Sequence, residues 1–211
     1  MKLISCLIIS MLFAASCGNQ PSKKENAQTT LEPVGPLFDL ADLPQEPLFD
    51  IETTHGTMRI KLFKETPGHR DNFAKLVADR YYDGILFHRV RKGFMIQAGE
   101  TGEEPTSAQL KYGEKGVDYT IPAEILPIFS HKRGALAAAR TNNPEKASSG
   151  SQFYIVHTDD GATHLNGEYT VYGEVIDGFE VIDLIANVPT TGSPRDLTLD
   201  PPKIISIKPV F

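Results

Sequence analysis

From Leu48 to the C-terminus, apolar and polar positions alternate in short runs. Phe49, Ile51 and Thr53 fall on one parity before His55-Gly56, and Met58, Ile60 and Leu62 follow with Arg59 and Lys61 between them. Period two on both sides of a glycine-containing turn predicts a β-hairpin. The period then changes. Phe73, Leu76 and Val77 recur at helical spacing, with Thr66 as candidate cap, Pro67 in the first turn and Asp83-Gly84 as the end. ILFHRV and FMIQAG read as a strand pair, followed by a glycine- and acid-rich loop from Gly99 to about Gly116. YTIPAEI, GALAAAR, SQFYIVH and YTVYGEVI supply further strand segments, with Asn166-Gly167 as a turn. A second helix is predicted from Phe179 to Ala186, and KIISIKPV closes the chain as a strand with Ile205 and Ile207 on one face. Many short strands and two helices suggest a closed barrel or a sandwich; periodicity does not choose between them.

The first 47 residues follow none of these periods. MKLISCLIISMLFAASC has one lysine, an apolar run from Leu3 to Ala15 and small residues before Cys17. The run is short for a membrane span and has the shape of a signal-peptide core. Ala14-Ala15-Ser16-Cys17 resembles the lipobox of bacterial lipoproteins, in which the cysteine is lipidated, although that pattern prefers leucine where Ala14 stands. An ordinary cleaved signal peptide is the alternative. Residues 18–47 hold Pro21, Pro33, Pro36, Pro44, Pro47 and the polar run QPSKKENAQTT, and read as a tether that would span on the order of 30 Å as a coil. Leu37, Phe38 and Leu40 either dock on the domain or form a short helix. The expected organisation is therefore a signal peptide and lipobox over 1–17, a tether over 18–47 and one domain over 48–211.

Composition adds little to this. The chain is 40% hydrophobic and 23% charged, with 17 glycines and 15 prolines, values ordinary for a globular protein rich in turns. A formal net charge of -6 argues against nucleic acid as the main partner, because phosphate binding needs a concentrated basic surface. With Cys17 lipidated and Cys6 removed, no disulfide would contribute to stability.

The stretch FHRVRKGFMIQAG poses the chemical question. It places Arg89 and Gln97 within an otherwise apolar hairpin, where an unused charge is costly. With GALAAAR, SSGSQFYIVH and HLNGEYTVYGEV in that order, the chain from residue 48 onward resembles the cyclophilins, and most of all their bacterial branch. The resemblance implies a mainly β fold, a closed eight-stranded antiparallel β-barrel capped by two α-helices. It also implies peptidyl-prolyl cis-trans isomerase activity without cofactor or metal.

An X–Pro bond rotates against a barrier of ~18–20 kcal/mol. A guanidinium that donates to the prolyl nitrogen favours the twisted amide, in which resonance is lost, over either planar state. Bringing exchange from seconds to milliseconds takes about 5.5 kcal/mol. The resemblance places Arg89 in the catalytic arginine position, with Gln97 holding it and the substrate backbone. Phe94, Met95, Tyr154 and Leu165 would receive the proline ring. Ala139 and Arg140 would offer backbone contacts to the residue before proline, and Gln152 would line the same groove. His88 is read as structural. Tyr154 replaces the usual phenylalanine and brings a hydroxyl that needs a partner. Tyr169 replaces a histidine that lines the pocket in many relatives. His164 stands where cyclosporin-sensitive members carry tryptophan, so weak cyclosporin binding is expected.

Other readings of the same residues are weaker. Arg89 alone could belong to a structural ion pair, and the apolar residues to plain core. His131, His157 and His164 match no metal-ligand spacing. Ser148, Ser149 and Ser151 lack the G-x-S-x-G elbow of hydrolases. Two functions follow. One is an active, monomeric isomerase lipid-anchored in a bacterial cell envelope through Cys17, acting on proline-containing segments of folding proteins. The other is a peptide-binding lipoprotein with little turnover, acting as a chaperone or assembly factor.

Overall fold

The computed structural model describes residues 35–100 and 116–211. The signal peptide, Cys17 and the tether up to residue 34 lie outside the described residues, as does most of the loop after Gly99. Gly35–Phe211 form one compact unit, so the domain begins before the boundary at 48. Phe38 and Leu43 pack against its core, a short 3-10 turn spans Leu40–Asp42, and the Leu37 N–H donates to the Ala78 carbonyl. Residues 35–47 therefore belong to the domain rather than to a tether.

The described residues form ten strands and two α-helices in chain order: β1 (Leu48–Thr53), β2 (Gly56–Leu62), α1 (Pro67–Ala78), β3 (Arg89–Arg91), β4 (Met95–Ala98), β5 (Thr120–Ile121), β6 (Ala135–Ala138), β7 (Ser148–Ser149), β8 (Phe153–Val156), β9 (Val171–Asp177), α2 (Phe179–Ala186) and β10 (Ile204–Val210). Eight strands form one antiparallel sheet in the order β10-β1-β2-β9-β6-β8-β4-β3, and β5 pairs with β7 separately. The first hairpin forms as its periodicity predicts, with Thr53 opposite Gly56.

The closed barrel is not what the strands make. The sheet curls into a half-barrel whose end strands, β10 and β3, do not pair with each other. Across the gap, Leu86 bridges Lys203, the Ile204 N–H donates to the Ile85 carbonyl, the Gly84 N–H to the Ile204 carbonyl and the Phe87 N–H to the Pro202 carbonyl. The reason lies at the outer edge of β3. The segment 196–198 occupies that edge: the Val90 N–H donates to the Asp196 carbonyl, Arg89 bridges Leu197, and the Thr198 N–H donates to the His88 carbonyl.

Three local expectations also change. Helix α1 ends at Ala78, with Arg80 already in the left-handed region at φ 57°, rather than at Asp83-Gly84. Thr66 makes no capping bond; its hydroxyl turns back to the Phe63 carbonyl. The cap comes from Glu124, whose two carboxylate oxygens each accept at 2.9 Å from the Gly68 and His69 N–H groups. In β10, Ile204 and Ile207 are buried while Ile205 is 48% exposed. Glu52 pairs with Ser206 and Thr53 with Ile204, so Ile205 is the extra residue of a bulge and the alternation skips there.

Strands β4, β6 and β8 are apolar almost throughout because both of their faces are covered. Ile96, Ala98, Leu136, Ala138, Phe153 and Ile155 face the main core with Phe73 of α1 and Ile182 of α2. Met95, Ala135, Ala137, Tyr154 and Val156 face the other way into a second cluster, with Phe94, Leu165 and Tyr169 packed against it. Among the described residues no helix is long and apolar enough to cross a membrane.

Candidate active site

Strand register assembles the site. On the β3-β4 hairpin Arg89 lies directly opposite Gln97, across β4-β8 Gln97 lies opposite Tyr154, and across β8-β6 Tyr154 lies opposite Ala137. Directly opposed residues share a face of a sheet, so Arg89, Gln97 and Tyr154 form one row across three strands. Met95 is two residues from Gln97 and joins the same face.

The row opens on a cavity of about 170 Å³ lined by Arg89, Phe94, Met95, Gln97, Ala139, Arg140, Tyr154, Leu165 and Tyr169. Eight of the ten expected isomerase-site residues are in that lining. Gln152 lies just outside, in an adjoining groove of about 720 Å³ that shares Arg89, Gln97, Ala139 and Arg140 with the cavity. His164 is not in either wall. It is exposed at the rim, with its ring centroid 5.5 Å from that of Phe94.

Hydrogen bonds orient the polar side chains. Gln97 Nε2 donates to Gln152 Oε1 at 3.0 Å, which turns Gln97 Oε1 toward Arg89, and Arg89 Nη1 donates to it at 3.4 Å. On the other side, Arg89 Nη2 lies 3.6 Å from Asp196 Oδ2, with Arg91 Nε 3.7 Å from the same oxygen. Asp196 is buried and held in the left-handed region at φ 53°. Beside the arginine, His88 has its pKa lowered to about 4, by burial first and then by the Arg89 charge. Its Nε2 lies 3.8 Å from Glu100 Oε2.

Arg140 is committed elsewhere. Its Nε donates to the Glu168 carbonyl at 3.1 Å, its Nη2 lies 3.3 Å from the Glu168 carboxylate, and its guanidinium stacks 4.6 Å from the Tyr169 ring centroid. The cation thus braces the Tyr169 wall. Ala139 donates its N–H to the Gln152 carbonyl and accepts from the Ser149 N–H. A peptide could use only the remaining lone pair of its carbonyl, so the backbone contact expected of Ala139 is restricted to acceptance.

The hydroxyl of Tyr154 has found its partner in His131 Nε2, at 2.9 Å. Burial pushes the phenol pKa above its ordinary value, so it remains a donor. Sequence reasoning assigned no site role to Asp196, and weighed His131 only as a metal ligand. Asp196 sits in a loop without periodicity, but the unpaired hydroxyl of Tyr154 was a usable signal for a buried partner. Among the described residues no three His, Cys, Asp or Glu side chains gather to hold a metal ion.

Residues 48–208 match the family described as cyclophilin type peptidyl-prolyl cis-trans isomerase/CLD. A peptidyl-prolyl cis-trans isomerase of Acinetobacter baylyi is 34% identical over 181 residues, covering 83% of this chain and 92% of the relative. One from Arabidopsis thaliana is 37% identical over 151 residues, covering 70% and 87% respectively. Among solved structures, a Cryptosporidium parvum cyclophilin type isomerase superposes with a TM-score of 0.66 at 30% identity, covering 79% of this chain and 98% of that one. A second structure of that protein was determined in the presence of the dipeptide Ala-Pro and gives a TM-score of 0.63 at 31% identity, covering 76% and 96%.

Proposed function

The chain belongs to the cyclophilin-type peptidyl-prolyl cis-trans isomerases, and we propose that Arg89 drives its catalysis on proteins folding outside the cytoplasm. The supporting observation is the union of the Arg89 guanidinium with an apolar cavity sized for a proline ring. Arg89 and Gln97 stand at the polar side of the cavity that Phe94, Met95, Tyr154 and Leu165 line on the apolar side. A proline ring seated there sets its amide nitrogen beside the arginine. Gln97 and Asp196 engage opposite ends of the fork, so its donors need little reorganisation as the amide twists. Exclusion of water from the apolar wall strengthens that interaction in the twisted state. The chemistry requires neither nucleophile nor proton transfer.

The site test is cis-to-trans exchange of a short X–Pro peptide with residues 35–211 and the Arg89→Ala variant. Loss of one preorganised donor is expected to slow exchange by about a hundred- to a thousandfold, with peptide binding largely kept. Binding by the wild type without accelerated exchange would instead leave a proline-peptide-binding chaperone.

The extracytoplasmic setting rests on the Cys17 lipobox. Labelling of the whole protein by radioactive palmitate, lost in Cys17→Ala together with membrane association, is the expected result; an unlabelled membrane protein would overturn it. The same domain is expected to act as a monomer and to bind cyclosporin weakly. His164 offers a small exposed ring at the rim, and His164→Trp is expected to tighten the drug.

A further inference from the structure

His131 is almost fully buried and lines no part of the cavity, yet it is bonded to one lining residue, Tyr154, and to the residue that follows another, Leu165. Tyr154 Oη lies 2.9 Å from His131 Nε2. On the other side, the His131 N–H and Nδ1 both lie 2.9 Å from Asn166 Oδ1. Asn166 directly follows Leu165 at the end of the short turn that presents that leucine to the cavity.

These contacts fix the direction of each bond. Asn166 Oδ1 is an acceptor, so His131 carries its proton on Nδ1 and offers a lone pair on Nε2. Tyr154 must then donate, and its hydroxyl is directed to a residue that does not line the cavity. Burial agrees with the neutral ring: it lowers the His131 pKa, with the Asn166 bond opposing and His164 adding to the lowering.

Neighbouring groups also border His131. The Ala162 N–H donates to the His131 carbonyl at 2.7 Å, and the Tyr169 ring stands nearly perpendicular to both the His131 and Tyr154 rings. The His131 and Tyr154 rings are within 11° of parallel.

We propose that His131 is a positioning residue for the proline pocket: by joining the Tyr154 hydroxyl to Asn166 it holds the Tyr154 and Leu165 walls at the separation a proline ring requires. The inference rests on the reading of this cavity as the proline site. It explains how the pocket tolerates tyrosine at position 154, since the added hydroxyl is spent on a bond to His131, which does not line the cavity. It also separates two kinds of work, with Arg89 acting on the twisting amide and His131 on the fit of the ring.

The test is a double-mutant cycle read in two quantities, affinity for an Ala-Pro-containing tetrapeptide and exchange rate at saturating peptide. His131→Ala is expected to weaken binding about tenfold, because it frees the Tyr154 wall and strands its hydroxyl, with the loss confined to affinity. In the Tyr154→Phe background the same substitution is expected to cost at most about twofold. An equal loss in both backgrounds, or no loss in either, would overturn the proposal. Met95→Ala serves as the control for the pocket itself. Unchanged affinity there would refute the cavity as the proline site, and the His131 role with it. A Met95→Ala loss without His131–Tyr154 coupling would refute the His131 role alone.

If His131→Ala does not fold, the nitrogen-15 spectrum of the wild-type histidines decides. A protonated Nδ1 and a bare Nε2 in His131, with the Nε2 resonance moving in Tyr154→Phe, is the expected pattern. A proton on Nε2, or a resonance indifferent to Tyr154→Phe, contradicts the proposal.

Discussion

Arg89 and Asp196 face each other across the outer edge of β3, with Nη2 of the arginine 3.6 Å from Oδ2 of the aspartate. They are 107 positions apart in the chain, and the contact exists because the segment 196–198 occupies the strand edge that a closed barrel would give to another strand. The opening of the sheet and the setting of the arginine are thus one structural event.

Removing the Asp196 charge while keeping its shape tests that coupling. In Asp196→Asn the guanidinium keeps Gln97 but loses its buried counter-charge, so it samples orientations that miss the prolyl nitrogen. Exchange of a short X–Pro peptide is expected to slow by roughly tenfold, with unfolding midpoint nearly unchanged. An unchanged exchange rate would show that Gln97 alone holds the arginine.

Much of this site could be read from the chain because it lies on strands. The spacing of Arg89, Phe94, Met95 and Gln97 within one hairpin determines which side chains share a face, and the register of β3 on β4 follows from a short turn. The second helix is legible from its own local period, since Ile182, Ile185 and Ala186 repeat at helical spacing and are all buried. Residues that act from a distance left no local pattern. Glu124 caps α1 from 56 positions downstream of Gly68, whereas Thr66 had the right identity and place and makes no cap. Phe38 and Leu43 sit among prolines and acids, where no period marks them, and tertiary packing alone recruits them to the core.

That recruitment predicts a cost for shortening the domain. A chain beginning at Leu48 loses Phe38, whose ring lies 6.1 Å from that of Phe49, together with Leu43 and the bond from Leu37 to Ala78. Two partly buried apolar side chains amount to about 2 kcal/mol. Urea unfolding should show a fall of that order relative to residues 35–211, while exchange at low temperature is kept because none of the lost contacts touches the cavity. Equal midpoints would place the docked segment outside the cooperative unit.

His88 predicts the direction of the pH dependence. Its pKa in the folded chain is about 4 against the ordinary 6.5, so between those values the unfolded chain binds more protons than the folded one. The stabilisation is complete above about 6.5 and is lost as pH falls toward 4, with a magnitude on the order of 3 kcal/mol. Buried His69 and His131 have pKa values displaced in the same direction and add to the trend. Unfolding free energy measured from pH 7 to 4 should therefore decline, and His88→Gln should make the decline shallower. An identical slope in the variant would assign the acid sensitivity to the other histidines.

The Glu124 side chain performs three tasks. Its oxygens accept from two N–H groups at the start of α1, and Oε2 also lies 2.6 Å from Nδ1 of the buried His69. It therefore joins the helix to the segment that carries Tyr119, whose hydroxyl donates to Asn72 of the same helix. Glu124→Ala removes the cap and strands the imidazole, and is expected to cost about 2–3 kcal/mol. Glu124→Gln keeps one good acceptor but places an amide donor where an N–H already points, so it should fall between wild type and alanine. Thermal unfolding of the three proteins orders them directly. If glutamine were as stable as glutamate, the charge would be irrelevant to the cap and only the acceptor geometry would matter. If alanine were equally stable as well, water would be replacing the carboxylate at the helix end.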